Sequence, residues 1–137
     1  MYTNIRWQQR FQNFEKAYIV FQRRITEYRE TNESEANQMS LIQAFEVLIE
    51  LSWKTLKDYL ENEEVVVNSP KAVIRQAFQF HIIDNGEDWM EALAKRNLTT
   101  HTYNEANFIE VITFIDAKFA TIVKQLFIGL KKETTDE

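Results

Sequence analysis

From Trp7 onward, apolar side chains fall at Phe11, Phe14, Tyr18, Phe21, Ile25 and Tyr28. These alternating steps of four and three line up on one side of a helix, whereas a half-buried strand would need steps of two. The spacing commits the first thirty residues to one long amphipathic helix that needs other elements to cover its seam. Two glycines and one proline among 137 residues are too few for the turns of a β fold, and Leu, Ile, Glu, Gln, Lys and Ala fill the stretches between them. The expectation is a single all-α domain over residues 1–137, an up-and-down bundle of four to five helices, with about 131–137 as a frayed tail.

Four further helices can be placed. The polar stretch Glu30 to Asn37 ends the first, and Asn32 and Glu35 have capping-box spacing for a second over about Glu35 to Glu63. That second helix has one apolar stripe at Leu41, Phe45, Leu48 and Ser52 and another at Ile42, Ile49, Trp53, Leu56 and Leu60. A helix in a small bundle ordinarily buries one face, so the surplus stripe is read as a subunit interface and a two-fold homodimer is expected. After the extended Val65 to Val67, Ser69-Pro70 supplies an N-cap and a proline at the first helical position of a third helix through Val73, Ile74, Ala77 and Phe78. The Asp84-Asn85-Gly86 turn and the acidic Glu87-Asp88 start a fourth through Trp89 and Leu93. Asn97 to His101 is poor helix material, and Thr102-Tyr103-Asn104-Glu105 has the form of a capping box. The last helix is therefore expected from about Tyr103 to Ile128, with its stripe at Phe108, Ile112, Ile115, Phe119, Ile122, Leu126 and Leu130 and with Gly129 as its stop.

Composition excludes several functional classes. Without cysteine there is no disulfide framework or thiolate site, and two histidines do not make a zinc site, so neither metal nor other cofactor is expected. Met1 to Arg10 lacks the apolar run of a signal peptide, and no later stretch has the length of a membrane span, which points to a cytoplasmic protein without membrane contact. A formal charge of −5 argues against a broad nucleic-acid surface, since such surfaces gain affinity by releasing phosphate counterions to many basic groups. Any contact with RNA must be local.

Arg96-Asn97-Leu98-Thr99-Thr100-His101-Thr102-Tyr103 gathers a fixed cation, a titratable imidazole and a phenol within eight residues. Five positions along an unbroken helix diverge by about 140°, so Arg96 and His101 converge only if the chain breaks between them, as the capping signal suggests. An imidazole just before a helix N-terminus would sit near backbone N–H groups that attract phosphate, and a guanidinium can grip two phosphate oxygens. In RNA cleavage without metal, a base takes the 2′-hydroxyl proton and a cation stabilises the charge on phosphorus, roles open to His101 and Arg96. The same spacing also suits residues that cap carbonyls or pack a seam. It does not choose between them.

The segment resembles the Arg-x4-His-x-Tyr signature of the HEPN superfamily, and the similarity extends to Phe45-Glu46, to Glu50 through Leu60, to Ser69-Pro70, to Asp84 through Trp89 and to Arg96 through Glu105. Together these resemble the HepT-like, or nucleotidyltransferase substrate-binding, proteins that pair with minimal nucleotidyltransferases in toxin–antitoxin modules. The resemblance covers most of Met39 to Glu105. It implies a dimeric bundle with two motifs facing a shared cleft, Arg96 and His101 as ribonuclease residues, and Tyr103 as the acceptor of AMP from the partner enzyme. Asn97, Thr102, Glu46 and Glu50 are candidates for lining the cleft. Glu50 and Lys54 have the spacing of an ordinary surface pair, His81 that of a packed or surface imidazole, and Trp53 and Trp89 that of core residues.

Three functions compete. The first is a metal-independent endoribonuclease restrained by its nucleotidyltransferase partner. The second is a non-catalytic subunit that presents substrate to that enzyme, since paired carboxylates for the magnesium of a transferase are missing. The third is a dimeric scaffold without activity.

Overall fold

The structure, a computed structural model, describes the backbone of residues 2–101 and 104–135 and the side chains of 5–100 and 104–134. Helix α1 (Tyr2–Glu30) is followed by α2 (Glu35–Asn62), α3 (Pro70–Gln79), α4 (Gly86–Leu98) and a 3₁₀ turn (Thr99–His101). The chain then runs through α5 (Glu105–Phe114), a π turn (Ile115–Phe119) and α6 (Ala120–Thr135) as one rod. No strand occurs among the described residues, and the all-α bundle expected from the spacing is what forms. Ion pairs give the directions of the rods: Arg6–Glu61 and Arg10–Asp58 set α1 antiparallel to α2. Glu15–Lys131 and Arg29–Asp116 set α1 antiparallel to the last rod.

The seam of α1 is buried from Trp7 to Ile25, with Tyr28 half-buried. On α2 the first stripe is fully buried, but the surplus stripe is not a surface. Ile42, Ile49, Leu56 and Leu60 are buried inside this one chain and only Trp53 stays half-buried. The reason is position: α2 packs against α1 on one side and against α3, α4 and α5 elsewhere, so a central helix fills both stripes with its own neighbours. The observation that motivated a dimer interface on these residues is thereby overturned.

Several helix ends also differ from expectation. Ser34, not Asn32, caps α2, its hydroxyl accepting from the Asn37 N–H, while the Asn32 carbonyl takes the Gln38 amide. Ser69 and Pro70 start α3 as expected, the serine accepting from the Ala72 N–H. Neither α2 nor α3 ends on glycine. Glu64 and His81 take the left-handed conformation instead (φ 66° and 61°). Val65 N–H then donates to Leu60 O and Ile82 N–H to Ala77 O, which closes the last carbonyls of both helices. His81 is an exposed cap residue in this role.

The last rod outruns Gly129 and stays helical through Thr135, so residues 131–135 of the expected tail are helix. Gly129 has ordinary helical backbone and is exposed, and the buried Leu130 and the Lys131–Glu15 pair beyond it hold the helix in place. Inside the rod, the π turn carries Phe119 to the centre of the core. There its ring lies 4.8 Å from Phe45, 5.5 Å from Phe21, 6.0 Å from Trp89 and 6.5 Å from Phe114. Phe114 and Phe119 are five apart and both buried, a pairing that the wider π turn permits and a regular α-helix disfavours. Arg29 clamps this turn, donating from Nε to Asp116 Oδ1 at 2.7 Å and from Nη2 to the Asp116 carbonyl at 3.2 Å.

Candidate functional site

Arg96 sits in the last turn of α4, where a cation is favoured by the carbonyl end of the helix. The buried Trp89, Ala92 and Leu93 fix the face of α4 that meets the core. Its neighbour Lys95 ties α4 to α5 through Glu110 at 3.2 Å and to its own helix through Glu91 at 3.3 Å. Arg96 turns instead toward α2. Its Nη1 lies 3.4 Å from Glu46 Oε2 and its Nε 3.6 Å from Glu50 Oε1, so one half-buried guanidinium stands between two carboxylates.

Thr99 closes one side of this cluster. Its hydroxyl, on a buried residue, accepts from Arg96 Nη1 at 3.0 Å. Its single proton can serve either Glu46 Oε2 at 2.9 Å or the Arg96 carbonyl at 2.7 Å. On the other side, the Trp53 indole N–H donates to Glu50 Oε2 at 3.2 Å. Glu50 therefore faces Arg96 and Trp53, not the Lys54 partner expected from spacing, and the Lys54 ammonium lies 5.9 Å from the Trp53 ring centre. Glu46, Glu50 and Trp53 are at i, i+4 and i+7 of α2, so they share a face and reach α4 together.

The structure thus brings Arg96, Glu46 and Glu50 together. Asn97 is exposed, its backbone carbonyl accepting from the Thr100 hydroxyl, and its side chain does not join the cluster. His101 ends the 3₁₀ turn, but its side chain lies outside the described residues, as do Thr102 and Tyr103 altogether. The break in the motif comes later than expected: α4 continues through Asn97 and Leu98, and the cap of α5 is Asn104, not Thr102. Asn104 Oδ1 accepts from the Ala106 N–H at 2.9 Å and the Asn107 N–H at 3.3 Å. Asparagine caps at least as well as threonine, so α5 starts at Glu105, after Tyr103. It also means that these two amides are already satisfied, which removes them from the phosphate-binding role expected of a bare helix N-terminus.

Sequence reasoning missed Thr99 and Trp53 as members of the site. Thr99 stands three residues after Arg96, a spacing that puts side chains on one helical face, and this was the available signal. Among the described residues, no group of three or more His, Cys, Asp or Glu side chains is placed to hold a metal ion. Nor is any helix among them long and apolar enough to cross a membrane.

A model of the family described as nucleotidyltransferase substrate binding protein like matches residues 9–132. The chain belongs to this family. A curated relative from Haemophilus influenzae, named a probable ribonuclease HepT, is 31% identical over 80 residues, which is 55% of this chain and 55% of that protein. The chain thus spans about half the length of the curated relative it matches. A crystal structure of a protein from Thermus thermophilus superposes with a TM-score of 0.72 at 29% identity, covering 82% of this chain and 94% of the other. A second structure, from Haemophilus influenzae, is reported as the fold of a substrate binding domain of a nucleotidyltransferase. It superposes with a TM-score of 0.78 at 23% identity, covering 88% and 98% of the two chains, and it speaks for the fold alone. The family match takes in every residue of the Arg96 cluster and the whole of the motif through Tyr103.

Proposed function

We propose that this chain is a cytoplasmic, metal-independent endoribonuclease of the HEPN type, restrained by a partner minimal nucleotidyltransferase that attaches AMP to Tyr103. The observation that carries the reading is Arg96, a half-buried guanidinium fixed from two sides and set just before the turn that ends at His101. In the cleavage step His101 takes the proton of the RNA 2′-hydroxyl, and the resulting oxygen attacks the adjacent phosphorus. The 5′-oxygen leaves and takes up a proton, giving a 2′,3′-cyclic phosphate, while Arg96 stabilises the charge that builds on the phosphoryl oxygens. In the restraining step the Tyr103 phenol oxygen attacks the α-phosphorus of ATP, loses its proton and releases pyrophosphate. The attached phosphodiester and purine then occupy the place of substrate phosphate.

The active form in this reading is a homodimer with two motifs in one cleft. With the second stripe of α2 consumed by the core, a face that a second copy would cover in this reading is the groove of about 660 Å³ lined by Tyr28, Met39, Phe108 and Ile109. Met39 and Ile109 are exposed there, and the groove ends at Glu105 beside the motif. Light scattering of the wild type and of Met39→Asp/Ile109→Asp tests this. A wild-type monomer at micromolar concentration refutes the shared cleft.

His101→Ala and Arg96→Ala are each expected to abolish cleavage while leaving the helical circular dichroism unchanged, and EDTA is expected to have no effect. Activity lost to EDTA and restored by magnesium contradicts the acid–base mechanism. With the cognate transferase and ATP, the intact mass is expected to rise by one or more AMP units, and Tyr103→Phe to block the increase while keeping cleavage. A second reading is favoured by the description of the family: a non-catalytic subunit that binds substrate for the transferase. Under it the purified chain cleaves no RNA, and the transferase depends on the chain for activity.

A further inference from the structure

We propose that Glu50, held by the indole N–H of Trp53, is the residue that positions Arg96 for an anionic ligand, with Glu46 and Thr99 fixing the other end of the guanidinium. The ligand is a phosphodiester oxygen, and in naming it the proposal rests on the ribonuclease reading above. The positioning itself rests on the geometry.

A guanidinium has five N–H donors in a rigid plane, so two anchored positions fix the direction of the rest. Nη1 is anchored by Thr99 Oγ1 and faces Glu46. The Nε–H is buried and makes no hydrogen bond, although Glu50 Oε1 stands 3.6 Å away. A buried donor left unbonded is costly, and the carboxylate charge directly opposite is what offsets that cost here. Glu50 is a long side chain with room to rotate. The Trp53 N–H holds its Oε2 and so turns Oε1 toward Nε. Trp53 lies only one helical turn beyond Glu50 and spends its one polar hydrogen on that carboxylate, so its influence on Arg96 passes through Glu50.

The arrangement leaves Nη2 without a hydrogen bond to any described residue, aimed by groups that hold the other two nitrogens. An anion at Nη2 draws the guanidinium over the short distance that separates Nε from a full bond to Glu50, and a loose contact in the free protein becomes a tight one in the complex. Two carboxylates beside one guanidinium also set a threshold. A carboxylate ligand or weak anion meets net negative charge, whereas a phosphodiester flanked by its own base and sugar contacts has further binding energy with which to overcome it.

The test reads Arg96 directly. In ¹H–¹⁵N spectra the Nε–H resonance of Arg96, identified by its loss in Arg96→Lys, is expected to exchange slowly with solvent. Trp53→Phe keeps most of the ring volume and removes the donor. It and Glu50→Gln are each expected to accelerate that exchange by about two- to fivefold, the size associated with an ion pair that makes no hydrogen bond. The double variant is expected to be no faster than Glu50→Gln alone, because Trp53 acts through Glu50. Unchanged exchange in Trp53→Phe, or effects of the two substitutions that multiply, overturns the proposal whether or not RNA is cleaved. If Glu50→Gln does not fold, Glu50→Asp, which retracts the carboxylate, takes its place in the same cycle. In cleavage assays the same variants are expected to lower kcat far more than they raise KM. Absence of cleavage in the wild type defeats the ribonuclease reading and leaves the exchange measurements to decide the positioning.

Discussion

Replacing Gly129 with alanine is expected to stabilise the protein, and the structure allows the amount to be worked out. The residue lies inside α6, exposed, with ordinary helical backbone. A methyl group built there meets nothing within 4 Å, so neither a clash nor a packing gain enters. What remains is the backbone term: glycine costs about 1 kcal/mol relative to alanine in a helix interior, largely because the unfolded chain loses more freedom on folding. The helix does not fray ahead of this point, since the buried Leu130 and the Lys131–Glu15 pair hold the next turn, and the full amount should be realised. In urea titrations the slope should be unchanged and the midpoint should rise by about 0.5 M, taking a slope of about 2 kcal/mol/M. An unchanged or lower midpoint refutes the reasoning, because it means that the helix stops at Gly129 or that this face is covered by something a methyl group disturbs.

Phe119→Ala should cost about 3–5 kcal/mol in the same titrations, since it empties a site enclosed by Phe21, Phe45, Phe114 and Trp89. A loss under about 1 kcal/mol would mean that the ring is not central to the core. Glu64→Gly should raise stability by about 0.5–1 kcal/mol by relieving a left-handed backbone at the end of α2, and a destabilised variant contradicts the φ of 66°. Hydrogen bonds from Lys57 and from Lys118 hold the carboxyls of Glu61 and Glu91 below the ordinary value of 4.5. Because the folded values are depressed, their contribution is present above that pH and lost as pH falls through them. Glu61→Gln should flatten the acid limb of the stability curve, and an unaltered limb counts against the assignment.

How far the sequence could be read depended on the kind of signal. The seam from Trp7 to Ile25 and the Ser69-Pro70 start of α3 are local patterns with one physical solution, and both formed as read. The two stripes of α2 were visible as spacing, but spacing does not say whether a second face meets the same chain or another copy, and here its own neighbours took it. Caps were misplaced wherever two cap-forming residues competed within a few positions, as with Asn32 and Ser34, and with Thr102 and Asn104. Gly129 misled because glycine marks a helix end only when the chain needs a left-handed residue, and in this protein Glu64 and His81 fill that place. In the candidate site, Glu46 and Glu50 were offered only as candidates for lining a cleft, with Glu50 also read as the surface partner of Lys54, whereas their contacts with Arg96 and the Thr99 and Trp53 bonds depend on how α2 and α4 lie against each other. No single-segment pattern encodes that.

The extra residue in the turn at Ile115–Phe119 works as a gear change in the last rod. On either side the backbone keeps its own rotational phase, so α5 meets α4 through Glu110 and Lys95 while α6 presents Phe127 to Tyr18 and Phe14 on α1. A rotation of α6 imposed by substitutions along α1 need not be passed on to the Asn104 end, because the wide turn can absorb it and Arg29 holds that turn at its own station. The half of the rod that roots the bundle is thereby geared separately from the half that follows the motif, and each can be refitted to a new neighbour without resetting the other.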